Sequence, residues 1–315
     1  MGLDYSLRKA KVASRVALTP RRRWGYASAV RPGNGAAAAR DIPPELSIEG
    51  AFTADLLADF LRRETRRAGY SKALVGLSGG VDSATSVALA CRALGRRNVL
   101  LVLLPYRTSS PDSLGDARSL ARLLRAPTET RSISPMIDAY FRRAPRATRL
   151  RRGNKMARER MSVLYDLSVR DRRLVIGTSN KTELLLGYGT LHGDMASALN
   201  PLGDLYKTQV RQLALHLGVP EAIVWKTPTA DLWAGQSDEA DLGYLYRDID
   251  RLLLRLVELR ESPEEAVAAG FPRRMVQAIR RRIVGSQFKR RPPVIARLTA
   301  RAVNIDFRYP RDWGS

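Results

Sequence analysis

The chain has 315 residues, 44% of them apolar, enough for one substantial core and well above the disordered regime. No apolar run approaches the roughly 18 residues of a membrane span, and the lone cysteine, Cys91, excludes an internal disulfide and fits a reducing compartment such as the cytoplasm. The formal net charge of +23 favours anionic partners, while two histidines exclude a histidine-rich metal site and leave carboxylates as the ligands of any metal.

Residues 1–44 lack hydrophobic periodicity. They carry Arg21-Arg22-Arg23, the stretch Pro32-Gly33-Asn34-Gly35 and four consecutive alanines, and read as a disordered basic extension. The ordered domain is expected over residues 45–315. Thr53 is placed to cap a helix bearing Leu56, Leu57, Phe60 and Leu61, stopped by Gly69. Residues 72–77 (KALVGL) read as a strand, 78–83 as a loop, and a helix follows to Leu94 with Gly95 behind it. A second strand is expected at 98–105. Ser110-Pro111 has the signature of a capped helix start, running to about Leu124. A helix at 154–168, a strand at 173–178 and a helix at 206–217 ended by Gly218 complete the alternation. From Ser237 the pattern is helical until a short strand expected at 303–307. Strands alternating with helices imply an α/β fold, an open doubly wound parallel sheet with helices on both faces and a helical C-terminal part.

Between the first strand and its helix lies Ser78-Gly79-Gly80-Val81-Asp82-Ser83. Adjacent glycines let the backbone approach an anion, and a helix N-terminus supplies free N–H groups and a positive dipole end. The loop therefore reads as a pyrophosphate cradle. It lacks the Gly-Lys-Ser/Thr ending of a Walker loop and the spacing of a dinucleotide fingerprint. Asp82 is unfavourable beside phosphates unless a cation bridges them, so it implies Mg²⁺.

Through SGGVDS the chain resembles the PP-loop (N-type) ATP pyrophosphatases, with their adenine nucleotide alpha hydrolase-like fold. Three further blocks narrow the resemblance: Gly153–Met161, Gly177–Glu183 running on to Gly193-Asp194, and Asn200–Val210 followed by Lys226–Leu232. With Ser237-Asp238-Glu239 and Phe288–Pro292, they look like the ammonia-dependent NAD synthetase family from about residue 50 onward. The resemblance implies amidation of deamido-NAD (nicotinic acid adenine dinucleotide) with ammonia through an adenylate, at the expense of ATP. It implies Mg²⁺ on Asp82 and Glu183, and ATP contacts from Ser78–Ser83, Thr178, Lys207 and Thr229. Arg158 and Lys289 match dinucleotide-binding residues, and Asp194 matches a catalytic carboxylate near the reacting centre. A homodimer is implied as well, with the helix from Asn154 a candidate interface.

The chain departs from that family at Phe288, where those enzymes carry histidine, and at Leu191 and Ala198, where some carry a lysine and an aspartate. Residues 183–188 (ELLLGY) look more like the synthetase domain of glutamine-using relatives. The segments 105–112 and 229–238 are candidate lids. Cys91, among Ala88, Leu89 and Ala90, reads as a packing residue, so free ammonia is the expected donor. A tRNA-modifying ligase on the same loop is the alternative that the charge would suit; otherwise nucleic-acid binding is expected to be weak and non-specific. No membrane association is expected.

Overall fold

Four short strands carry the architecture in the computed structural model, which describes residues 42–299 apart from Ala234. Strands β1 (Ala73–Gly76), β2 (Val99–Leu103), β3 (Thr128–Thr130) and β4 (Leu174–Ile176) form one parallel sheet in the order β3-β2-β1-β4. Ala73 pairs with Val99 on one side of β1 and with Leu174 on the other. The chain thus winds outward from β1 through β2 to β3, then returns to place β4 on the opposite flank. That reversal puts a switch point between β1 and β4, and parallel sheets open a crevice there at the strands' carboxyl ends.

Side-chain alternation sorts the core into two layers. Ala73 and Val75 of β1 and Leu101 of β2 pack with helices α1 (Gly50–Arg67), α2 (Val81–Leu94), α3 (Pro111–Leu124) and α7 (Lys207–His216). Leu74, Leu100 and Val175 point the other way, against α4 (Ser134–Phe141) and the long α5 (Arg149–Asp171). The all-buried β2 is what a central strand covered on both faces requires. A third cluster joins Leu186 of α6 (Lys181–Leu186) and Tyr206 to the C-terminal helices. After the four-residue α8 (Glu221–Val224), these are α9 (Asp238–Leu242), α10 (Tyr246–Leu253) running into a π-helical turn at Leu254–Glu258, α11 (Pro263–Ala268) and α12 (Arg273–Gly285).

Several boundaries differ from the sequence reading. Glu49, not Thr53, caps α1: its carboxylate accepts from Ala51 N and Phe52 N, and Thr53 lies inside the first turn. Helix α2 begins at Val81, so Asp82 and Ser83 belong to its first turn and the loop is shorter than expected. Helix α5 is longer at both ends, capped by Thr148 and closed by Arg172 in the left-handed region (φ 50°). The caps at Ser110 and at Gly69 and Gly218 stand where expected; Ser110 accepts from Ser113 N, and both glycines have positive φ. Strand β3, mostly exposed and without an apolar pattern, gave no sequence signal. The expected strand at 303–307 and nearly all of the extension over 1–44 lie outside the described residues.

Candidate active site

A cleft of about 550 Å³ opens at the carboxyl edge of β1 and β4. The loop after β1 forms its floor. Gly79 has φ +88°, and a Cβ there would stand 2.1 Å from Ser113 O, so only glycine lets the loop pass α3 so closely. Ser83 locks the turn: its Oγ accepts from Ser78 N (3.2 Å), donates to Gly80 O (3.0 Å) and lies 3.0 Å from Ser78 Oγ. No side chain caps α2, so its first N–H groups face the cleft with the dipole end behind them.

Beside the loop stands the first charged cluster. Lys207 Nζ, on the first residue of α7, donates to Asp82 Oδ2 at 2.5 Å and to Glu183 Oε1 at 3.1 Å. It also sits 5.0 Å from the Tyr246 ring centroid, a cation–π distance. Asn180 fixes both carboxylates: Nδ2 donates to Asp82 Oδ1 (2.9 Å), and Oδ1 closes a capping box with Glu183 N (2.9 Å). Desolvation works against the Lys207 charge, but Asp82 and Glu183 outweigh it and hold the ammonium above its ordinary range. Desolvation pushes the Glu183 carboxyl upward, Lys207 opposes the rise and Asp82 adds to it. A cationic group between two carboxylates marks a place where positive charge is stabilised. Among the described residues no cluster of three or more His, Cys, Asp or Glu could hold a metal. An Mg²⁺ here would take two protein oxygens and complete its shell with substrate phosphates and water, an all-oxygen set that suits it.

Behind this cluster lies a carboxylate with no exposure at all. Asp250 accepts from Thr182 Oγ1 (2.6 Å), Thr208 N (2.8 Å) and Thr208 Oγ1 (2.9 Å), while Lys207 N donates to Thr182 Oγ1 (3.0 Å). It thereby ties the first turns of α6 and α7, the turns that carry Glu183 and Lys207. Asp238, also buried, accepts from Tyr188 OH and Ala230 N, both at 3.0 Å, and anchors one flank of segment 229–238. Asp231 accepts from Ser110 N at 3.1–3.2 Å, joining the two candidate lids.

The far end of the cleft holds Asp194, Lys289 and Arg160. Asp194 Oδ1 accepts from Thr190 N (2.7 Å). Desolvation raises its pKa against the pull of that N–H, Lys289 and Arg160. Lys289 Nζ donates to Gly187 O (2.8 Å) and Gly189 O (2.7 Å). The structure thus gathers Ser78–Ser83, Thr178, Glu183, Asp194, Lys207, Thr229 and Lys289 around one cleft. Arg158 stands outside its wall, exposed, with Nε donating to Leu191 O (3.1 Å). Phe288 is 62% exposed.

Sequence reasoning missed Asn180, Asp250 and Arg160. The Asn180-x-x-Glu183 spacing was a readable capping box, and Asp250 interrupts the apolar face of Tyr246, Ile249 and Leu253. Arg160 was hidden by the abundance of other arginines.

Fold and cleft together define the class: an α/β protein whose crevice lies at the switch point of a parallel sheet, the place where such folds bind nucleotides. Residues 53–293 match the family model described as NAD synthase. The NH(3)-dependent NAD(+) synthetase of Trichlorobacter lovleyi is 54% identical over 269 residues, 85% of this chain and 98% of that one. Among solved structures, the NH3-dependent NAD synthetase of Campylobacter jejuni is 32% identical with TM-score 0.68, covering 80% of this chain and 100% of that one. The NMN synthetase of Francisella tularensis is 30% identical with TM-score 0.70, covering 79% and 99%. The chain belongs to the NAD synthase family.

Proposed function

We propose that this protein converts deamido-NAD to NAD, taking nitrogen from ammonia and splitting ATP into AMP and pyrophosphate. The observation that carries the reading is the Asp82–Lys207–Glu183 bracket beside the Ser78–Ser83 loop, within a cleft long enough to have a second charged end. The NAD synthetase matches favour it over the tRNA-modifying alternative. The loop N–H groups and Lys207 receive the ATP phosphates, with Thr178 and Thr229 lining the nucleotide side. Asp82 and Glu183 would hold Mg²⁺, which when bound neutralises phosphate charge.

The acid's carboxylate oxygen attacks the α-phosphorus, forming the acyl–phosphate bond as pyrophosphate leaves. Ammonia then attacks the acyl carbon, AMP departs, and Asp194 is placed to take the proton that nitrogen sheds. An upward-shifted carboxyl is a better base than an ordinary one. Positioning and charge compensation supply the acceleration, since no covalent bond to the protein forms. The Asp231–Ser110 contact holds the two lids together and keeps water from the adenylate. Lys289, reaching over from beyond α12, binds the dinucleotide. Arg158, exposed on α5 with Leu150, Tyr165 and Val169, belongs to the face through which two copies pair as a homodimer.

The test is purified protein with ATP, Mg²⁺, ammonium and deamido-NAD, followed by measurement of NAD and AMP, with nicotinic acid mononucleotide as a parallel substrate. NAD formation with stoichiometric AMP is expected. Preference for the mononucleotide would move the assignment to an NMN synthetase. AMP formation that required tRNA and ignored both acids would overturn it.

A further inference from the structure

The two ends of the cleft differ in how fully their charges are matched. At the loop end, Lys207 is neutralised by Asp82 and Glu183 at hydrogen-bonding distance. At the far end, Arg160 is not. It projects from α5 between the buried Met156 and Met161, and Nε donates to Leu104 O (3.0 Å), just past β2. That single bond fixes the guanidinium at the sheet's carboxyl edge, in the cleft wall. Among the described residues, neither Nη makes a hydrogen bond or an ion pair. Asp194 and Asp231 are near enough to act on its charge, but each already accepts from a backbone N–H, of Thr190 and Ser110 respectively.

A guanidinium stays protonated even when desolvated, so this side chain brings a fixed positive charge and unused N–H donors into the cleft. Unpaired donors to a charged group are costly where water is partly excluded. A planar fork with free donors matches a carboxylate, which can accept two parallel bonds. Arg160 stands near enough to Asp194, where the acyl group must react, to act on its charge, and it makes no ion pair with Asp82 or Glu183, which bracket Lys207 instead.

Resting on the functional reading above, we propose that Arg160 binds the reacting carboxylate of the acid substrate and thereby separates acid from amide. The carboxylate offers two acceptor oxygens to the fork. The carboxamide product offers one oxygen and an NH₂ donor, which would face the guanidinium donors unpaired. Arg160 is then a specificity-determining contact that gathers the substrate and weakens the hold on the product.

The experiment is calorimetric titration of deamido-NAD and of NAD into wild type, Arg160→Met and Arg160→Lys, with ATP titrated separately. Wild type should prefer the acid. Arg160→Met should lose roughly 10- to 100-fold in affinity for deamido-NAD, the range of a charge-assisted contact, with NAD and ATP binding nearly unchanged. Arg160→Lys keeps charge without the fork and should fall between. Equal losses for both dinucleotides would mean that Arg160 holds another part of the ligand and would overturn the assignment. So would a loss confined to ATP, or an acid preference that survives the change. If Arg160→Met fails to fold, Arg160→Lys decides by the same criteria. Wild-type protein that bound neither dinucleotide would sink the functional reading and this assignment together, whereas unchanged variants would sink the assignment alone.

Discussion

At the scale of single residues, charge is what the cleft organises. Asp82 and Glu183 hold one cation between them, so removing either carboxylate leaves positive charge unmatched and, on the proposed reading, takes a ligand from Mg²⁺. Asp82→Asn and Glu183→Gln should each lower pyrophosphate release by about 100-fold or more, the order seen when a preorganised electrostatic group is lost, with unfolding transitions still cooperative. Full activity in either variant would remove that carboxylate from the proposed metal site. Cys91 sits in α2, and burial pushes its thiol up to about 11, so almost no thiolate exists near neutrality. Cys91→Ala should leave ammonium-supported turnover unchanged, and glutamine should support none in either protein. Glutamine-dependent NAD formation lost in Cys91→Ala would contradict this.

At the scale of elements, the site depends on how helix starts are held. Gly79 lets the loop after β1 pass within a Cβ of Ser113 O. Gly79→Ala adds both that clash and a positive-φ penalty of about 1–3 kcal/mol. It should lower the melting temperature and ATP affinity together; a variant with normal ATP binding would show that the loop has another way to fold. Asp250 joins α6 and α7 without exposure to water. Desolvation raises its carboxyl to about 6 against the pull of Thr182 and Thr208, from an ordinary value of 3.8. A folded pKa above the unfolded one means that the folded state takes up the proton first. The contribution to stability is therefore full below about pH 4 and is lost as pH rises through 6, amounting to about 3 kcal/mol across that window. Denaturant titrations of wild type and Asp250→Asn between pH 4 and 7 should show the wild type's relative stability falling as pH rises. A difference independent of pH would place the Asp250 pKa near its ordinary value.

At the scale of the whole molecule, the family match begins at residue 53 and covers the whole cleft. A chain starting at Pro44 should therefore fold, keep its rate with ammonium and deamido-NAD, and run as a dimer in light scattering. Loss of turnover in a soluble truncated chain would assign the extension a part in the site. Among the described residues no helix is long and apolar enough to cross a membrane.

The parallel sheet, its glycine-rich loop and the helix start at Ser110 were legible in the linear chain, because each rests on local chemistry: β-branched and leucine runs, adjacent glycines, a cap followed by proline. The family resemblance also singled out Ser78–Ser83, Thr178, Glu183, Asp194, Lys207, Thr229 and Lys289, which line the cleft, since they fall in contiguous blocks, but it passed over Arg160 and named Arg158, which lies outside the wall. Other features depend on which elements meet. Lys207 finds Asp82 and Glu183 across sequence separations of 125 and 24 residues. Asp250 reaches Thr182 from 68 residues away. Arg160 and Arg158 are two positions apart in one helix, yet one lines the cleft and the other faces solvent. Fold class and the glycine-rich loop at the crevice could be read from the chain alone, because periodicity and turn chemistry are written in neighbouring residues. Which charges are paired and which are left free to meet a substrate is set when the elements pack together. Pairing depends on distance and desolvation in the packed molecule, and neither is a property of the chain until it folds.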